Sequence, residues 1–261
     1  MKTQKLFLRL TVVIIAIVSL SSASIPDIKD YIKFSGKLYA LRHEVTNKEY
    51  RDFLLYLKAN KQNDKYAKCV YDSTQWIKKF TNSYNEPNDI SYHSHPAYDN
   101  YPIVNITLDG AKSYCEWLTT KYNNDSKRKY KKVLFRLPTE NEWMKLADPL
   151  PDQNLPWKSN SNISDNGKTY YSNIKVKDPK TSKDDYISDG GLTVIFVEHY
   201  KPNNLGIYDV IGNVAEMTSD GKQKGGSWDN YIDECNIGKT QSYTLPDPRV
   251  GFRVIMEIKE K

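Results

Sequence analysis

Thiols are scarce in this chain. Cys69, Cys115 and Cys235 are the only cysteines in 261 residues, and an odd number cannot close into a complete set of disulfides. A free cysteine is most often a small buried apolar residue, so these three do not by themselves make a redox centre. No Cys-x-x-Cys pair and no His-Glu-x-x-His run is present, which removes the common dithiol and zinc motifs. A Gly-x-Ser-x-Gly elbow and a glycine-rich phosphate loop are also missing, and with them the usual hydrolase and nucleotide signatures. There is no internal repeat. Neither sign of charge dominates: 38 Lys and Arg stand against 32 Asp and Glu. Lys2, Lys5 and Arg9 sit at the extreme N-terminus, which leaves 35 basic against 32 acidic residues in the remainder. That balance is not a nucleic-acid footprint.

The longest apolar run, Leu10 to Leu20, is shorter than the ~20 residues a membrane span needs. It follows the basic N-terminus and precedes Ser21-Ser22-Ala23. Residues 1–23 therefore read as a secretory signal, with cleavage after Ala23, and an uncleaved anchor is the alternative. No cysteine adjoins the cleavage site, so a lipid anchor is not expected. Export would place residues 24–261 where disulfides survive and where calcium is plentiful. Twenty tyrosines and five tryptophans suit a folded domain, and the length fits one large α+β domain or two small ones.

Local signals are clear in places. Ile32, Phe34, Leu38, Tyr39 and Leu41 alternate around Gly36, as in a hairpin. Thr46 and Glu49 form a capping box ahead of Tyr50, Phe53, Leu54 and Leu57 at helical spacing. Residues 63–100 show little periodicity. There His93 and His95 read as a surface loop with aromatic packing rather than as metal ligands. Thr107 or Asp109 caps a helix whose apolar face is Ala111, Tyr114, Cys115 and Leu118. The charged stretch 123–132 reads as a solvated turn. Val133 to Leu137 is a strand ended by Pro138. Thr139 and Glu142 make a second capping box, where Glu140 and Glu142 serve the helix dipole rather than catalysis. Residues 148–204 are loop-rich.

The stretch 206–217, Gly-Ile-Tyr-Asp-Val-Ile-Gly-Asn-Val-Ala-Glu-Met, is too broken for a helix and too rich in turns for a strand. Asp209 and Glu216 lie seven apart in it. A loop around a hard cation fits, since calcium takes carboxylate and carbonyl oxygens. A tight loop held by its own hydrogen bonds is the simpler reading of the composition.

This stretch resembles the "GLYDMxGNVWEW" signature of the formylglycine-generating, or sulfatase-modifying-factor, family. Glu44 to Tyr50, Tyr101 to Leu118, Arg136 to Trp143, Gly225 to Trp228 and Gly251 to Val254 resemble further family motifs in the family's order. The resemblance implies a single domain over residues 24–261, with an α+β, formylglycine-generating variant of the C-type-lectin-like fold and little regular secondary structure. Its core would include Tyr50, Phe53, Val104, Tyr114, Leu137, Trp143, Tyr208, Val214, Trp228 and Phe252, with Arg253 buried as a structural residue. It also implies structural calcium, held at one site by Asn173, Ile174, Asp189 and Gly191 and at another by Asp209, Gly212, Val214 and Glu216. Asp184 and Asp185 compete with Asp189 for its role.

The family's oxidase chemistry needs two thiolates for Cu(I), a soft ion that prefers sulfur. Those positions fall on Asn230 and Cys235, so copper is not expected and no catalytic residue is assigned. Cys115 matches a position whose family partner is here Val254; a Cys115–Cys235 bridge is one alternative to a free thiol. The block from Ser83 to Pro102 resembles gliding-motility (type IX secretion) lipoproteins that carry such a domain. The expectation is an exported, non-catalytic envelope component, periplasmic, outer-envelope or secreted, with envelope proteins as partners and no nucleic acid. A copper-dependent oxidase using Cys235 with another sulfur such as Cys69, and a calcium-dependent glycan-binding module, are the alternatives.

Overall fold

The computed structural model describes residues 27–80, 87–148, 155–159, 161–163, 167, 169–178 and 180–261. Residues 1–23, read as a secretory signal, and residues 83–86 of the block read as lipoprotein-like lie outside the described residues.

β1 (Tyr31–Ser35) turns at Gly36 into β2 (Leu38–Leu41), the hairpin that the alternation predicts. Gly36 has φ +47°, a left-handed value that glycine adopts without a Cβ clash. α1 (Asn47–Ala59) starts in the expected capping box, with Thr46 N donating to Glu49 Oε2 at 2.7 Å, and it buries Tyr50, Phe53, Leu54 and Leu57. The region read as irregular carries three short helices, α2 (Asn63–Cys69), α3 (Thr74–Lys79) and α4 (Pro87–Ser91). Five to seven residues make at most two turns, too few to show a 3.6 period.

α5 (Leu108–Asn124) is capped by Thr107, whose hydroxyl accepts from Gly110 N at 3.0 Å; Asp109 sits in the first turn instead. The basic stretch after it is exposed, as read, apart from partly buried Tyr130 and Asn123. β3 (Lys132–Arg136) leads into α6 (Glu140–Leu146) through the second capping box. Glu142 also takes both terminal nitrogens of Arg136, each at 2.7 Å, which explains its place without catalysis. After α6, the described residues up to 204 hold only β4 (Val176–Lys177) and β5 (Asp184–Asp185), a two-stranded ribbon. β6 (Ala215–Met217), β7 (Lys222–Lys224), β8 (Gln241–Ser242), β9 (Val250–Gly251) and β10 (Ile255–Glu260) complete the chain.

One antiparallel sheet has the order β1-β2-β10-β3, so the last strand lies between β2 and β3. A second has the order β8-β7-β6-β9, with β6 and β9 parallel. The largest cluster of the core packs α1 and α5 through Tyr50, Phe53, Tyr114 and Trp117 onto Phe135 and Phe252. A second gathers Trp143, Ile174, Ile207, Val210, Ile211 and Cys235, and a third Trp76, Tyr92, Val104, Val214 and Trp228. All the expected core residues are buried except Tyr208. Tyr208 is part-buried, with Arg42 over its ring, 5.0 Å from the centroid. His93 departs from its reading as a surface residue. It is 2 % exposed, stacks on Tyr71 at 4.0 Å, and its Nε2 meets the Val104 carbonyl at 3.1 Å. His95 is exposed and accepts from Ala97 N. Among the described residues no helix is long and apolar enough to cross a membrane.

Candidate functional site

The signature stretch is a loop that leads into β6. Tyr208 N donates to Arg42 O at 2.8 Å, and Asn213 N to Asn173 O at 2.8 Å. Asp209, Gly212 and Asn213 have φ of +54°, +76° and +55°. Left-handed residues that are not glycine cost energy and persist where surroundings impose them. Gly212 is required for space as well, because a Cβ there would run into the Asn173 carbonyl.

Glu216, in β6, is wholly enclosed and faces Arg253, which is buried as expected. Arg253 Nε lies 3.0 and 3.1 Å from the two Glu216 oxygens, Nη1 donates to Leu41 O at 2.9 Å, and Nη2 donates to Tyr208 O at 2.8 Å. Trp143 Nε1 donates to Glu216 Oε2 at 2.8 Å. Both oxygens of Glu216 are therefore engaged by a guanidinium and an indole.

Two further carboxylates are buried nearby. Glu44 Oε1 accepts from Asn213 Nδ2 at 3.0 Å, and Asp209 Oδ2 accepts from Glu198 N at 2.8 Å. Among the described residues, no donor reaches Glu44 Oε2 or Asp209 Oδ1. Burial, and then the neighbouring Asp209 charge, holds the Glu44 carboxyl well above the usual carboxylate range. Burial raises Asp209 too, against the pull of the Glu198 N–H and Arg253. Glu44 took no part in the sequence reading of the site. Its only signal there was its place at the head of the opening motif.

Asn173, Ile174, Asp189 and Gly191 do come together. Asp189 Oδ2 accepts from Ile174 N at 2.7 Å and Oδ1 from Gly191 N at 3.4 Å, while Asn173 Nδ2 donates to Thr193 O at 2.8 Å. Burial pushes the Asp189 carboxyl up to about 6, partly offset by those N–H groups. Asp184 and Asp185 lie in β5, and Asp184 pairs with Lys177, so Asp189 is the acid that faces inward. Among the described residues no three His, Cys, Asp or Glu side chains converge as a metal cluster. Of the acids implied as calcium ligands, Asp209 has a bare oxygen that fits a hard cation, while Glu216 has none free of a donor.

The positions matched to the copper thiolates lie beside a polar cleft of about 60 Å³, lined among others by Lys224, Ser227, Asn230, Thr240, Asp247 and Arg249. The Asn230 amide oxygen accepts from Ser227 N at 3.1 Å and Ser227 Oγ at 2.7 Å. It closes its own turn. Cys235 is fully buried under Gly226, where a Cβ would collide with Sγ. Burial drives its thiol well above the ordinary range, the opposite of what a thiolate ligand needs. These two residues do not supply the two sulfurs Cu(I) requires. Cys69, Cys115 and Cys235 are all free and buried. Cys69 and Cys115 lie in the first core cluster and Cys235 in the second, so no Cys115–Cys235 bridge forms. On the other flank of the signature loop lies a larger pocket of about 250 Å³, lined in part by Trp157, Tyr171, Lys158, Lys201 and Ile207.

The sulfatase-modifying factor enzyme 1-like domain model matches residues 32–258. The chain belongs to that family. Within it, the chain is 28% identical to the mouse (Mus musculus) formylglycine-generating enzyme over 122 residues, covering 46% of this chain and 27% of the mouse protein. It is 29% identical over 145 residues to the "Inactive C-alpha-formylglycine-generating enzyme 2" of cattle (Bos taurus), covering 51% of this chain and 40% of the relative. The chain thus spans less than half the length of these relatives. Among solved structures, PvdO from Pseudomonas aeruginosa superposes with a TM-score of 0.56 at 18% identity, covering 87% of this chain and 82% of PvdO. CarF gives 0.55 at 16% identity, with 88% and 97% covered. At such identities the likeness shows the fold, a mixed α/β formylglycine-generating-enzyme-like domain with little regular structure.

Proposed function

We propose that this sulfatase-modifying-factor domain is a non-catalytic member of its family, exported to the cell envelope, where it is a structural or binding component of a gliding or type IX secretion-like apparatus. One observation carries the non-catalytic part: Asn230, locked onto Ser227, stands where a copper thiolate is needed, and the remaining thiol of Cys235 is sealed. The name "inactive" on the bovine relative points the same way. The envelope role draws on the signal-like N-terminus and on the lipoprotein-like block that ends at His93 to Pro102. The experiment is incubation of the full chain with Cu(I) and a cysteine-containing sulfatase peptide. We expect an unchanged peptide mass; conversion of the cysteine to formylglycine would establish the oxidase reading instead.

A second reading, a calcium-dependent glycan-binding module, draws on the larger pocket. Its Trp157 and Tyr171 rings stack at 5.0 Å, and aromatic faces suit the apolar faces of sugars. A glycan array with and without chelator tests it, and binding that requires calcium would favour it over the first reading.

A further inference from the structure

The larger pocket, of about 250 Å³, shares no lining residue with the polar cleft beside Asn230. One wall is aromatic and stiff. Trp157 and Tyr171 stack 5.0 Å apart with their planes at 15°, and Trp157 Nε1 donates to Ser161 O at 3.0 Å. The polar edge of the indole is thereby occupied, and what it offers a ligand is an apolar surface. Pro156 comes just before Trp157, and Pro202 just after Lys201. Proline fixes its own φ and restricts the residue ahead of it. Asn203 holds the rim: Nδ2 donates to Leu146 O at 2.9 Å, and Oδ1 accepts from Leu205 N at 3.1 Å and Ile207 N at 3.0 Å. A wall formed in advance lowers the entropic cost of binding.

The charge of the lining is one-sided. Lys158 and Lys201 are exposed on it. Among the described residues, neither ammonium has an ion-pair or hydrogen-bond partner, and the Asn204 side-chain amide is free as well. The single acid of the lining, Asp209, is 7 % exposed, with one oxygen on Glu198 N and the other enclosed. The pocket therefore offers two free positive charges, an open amide and an apolar face. A ligand that satisfies all three has a ring with a C–H face, an acid group at its edge and hydroxyls beside it. The volume lies just under the ~300–1,000 Å³ of pockets for drug-sized ligands, which suits a single sugar ring.

We propose that this pocket binds a carboxylated sugar of the uronic-acid type, with the ring face on the Trp157–Tyr171 wall and the carboxylate against Lys158 and Lys201. The proposal builds on the glycan reading of the same pocket and replaces its calcium ion with these two side chains. Both lysines are exposed and unpaired, so they hold the ligand and not the fold.

The test is calorimetric titration of the full chain with methyl glucuronide, with methyl glucoside and with benzoate, each in calcium and in chelator. The glucuronide is expected to bind equally well in calcium and in chelator, and more weakly as salt is raised. The glucoside, which lacks the charge, and benzoate, which lacks the hydroxyls, are each expected to bind at least about tenfold more weakly. Lys158→Gln and Lys201→Gln should each lose about tenfold in affinity for the glucuronide at an unchanged melting temperature, while Lys201→Arg keeps it. Trp157→Ala should weaken both sugars together. If that variant does not fold, Trp157→Phe, which keeps an aromatic face, is read in its place and should retain binding. No binding of the glucuronide overturns the proposal, as does equal binding of the glucoside or of benzoate, or full affinity in both glutamine variants. Sugar binding that disappears in chelator also overturns it and supports the calcium-dependent reading instead. The sulfatase-peptide assay reads the other cleft, so its outcome is independent of this one.

Discussion

Arg253 joins three segments that are distant in sequence: the Leu41 carbonyl, the Tyr208 carbonyl and the Glu216 carboxylate. Removing one member of a buried pair leaves the other charge without compensation. Glu216→Gln should therefore cost about 3–5 kcal/mol of stability, read from urea unfolding. His93 makes a pH prediction. Burial lowers its pKa to about 3 from an ordinary 6.5, so the fold holds it neutral while the unfolded chain takes the proton between those values. Its contribution is complete above pH 6.5 and falls as the pH drops toward 3. Between pH 7 and pH 4 the loss should be about 3 kcal/mol. The buried carboxyls raised in pKa act with the opposite sign, so the measurement compares the parent with His93→Gln, in which they are unchanged. An equal slope in both would show that His93 titrates normally. Residue-scale chemistry was legible where it depended on type alone. An asparagine cannot act as a thiolate in any fold, and Arg253 beside Phe252 reads as buried. The Glu44–Asp209 meeting was not legible, because nothing local links positions 165 residues apart in the numbering.

Helix starts follow from four consecutive residues, which is why both capping boxes read correctly. Thr46→Ala removes the hydroxyl that accepts from Glu49 N and donates to Glu49 Oε2. It should cost about 1–2 kcal/mol, measured by the same unfolding titration, with the helical signal of the folded state preserved. The short helices α2 to α4 escaped notice because they are set by what they pack on. Trp76 of α3 is held against Tyr92 at 5.1 Å, a contact no periodicity encodes. The strands of the second sheet were missed for a related reason. β6 to β9 are two or three residues long, and their pairing crosses about 35 residues between β6 and β9. What the motifs supplied there was order along the chain, and the glycines mark close approach. Gly226→Ala would drive a Cβ into Cys235 Sγ at a residue whose φ is +69°. A loss of about 1–3 kcal/mol is expected, and an unchanged melting temperature would show that the loop yields freely.

At the scale of the whole molecule, the fold rests on packing without covalent ties. Three buried free thiols should react slowly with a thiol reagent in the native protein. All three should titrate once it is unfolded, and a reductant should leave the melting temperature unchanged. A melt that shifts with reductant would reveal a bridge. The topology makes a further prediction. β10 pairs with β2 on one side and β3 on the other, so removing residues 255–261 takes the middle out of the first sheet. The shortened chain should show no cooperative unfolding transition by circular dichroism.

During translation, the first sheet's middle strand is made after both of its neighbours. Until it arrives, the β1–β2 hairpin and β3 have no shared partner, and Arg253 has not reached Glu216. A growing chain in that state has an open sheet and an unpaired interior charge, and its final shape is taken up only once the middle strand is in place.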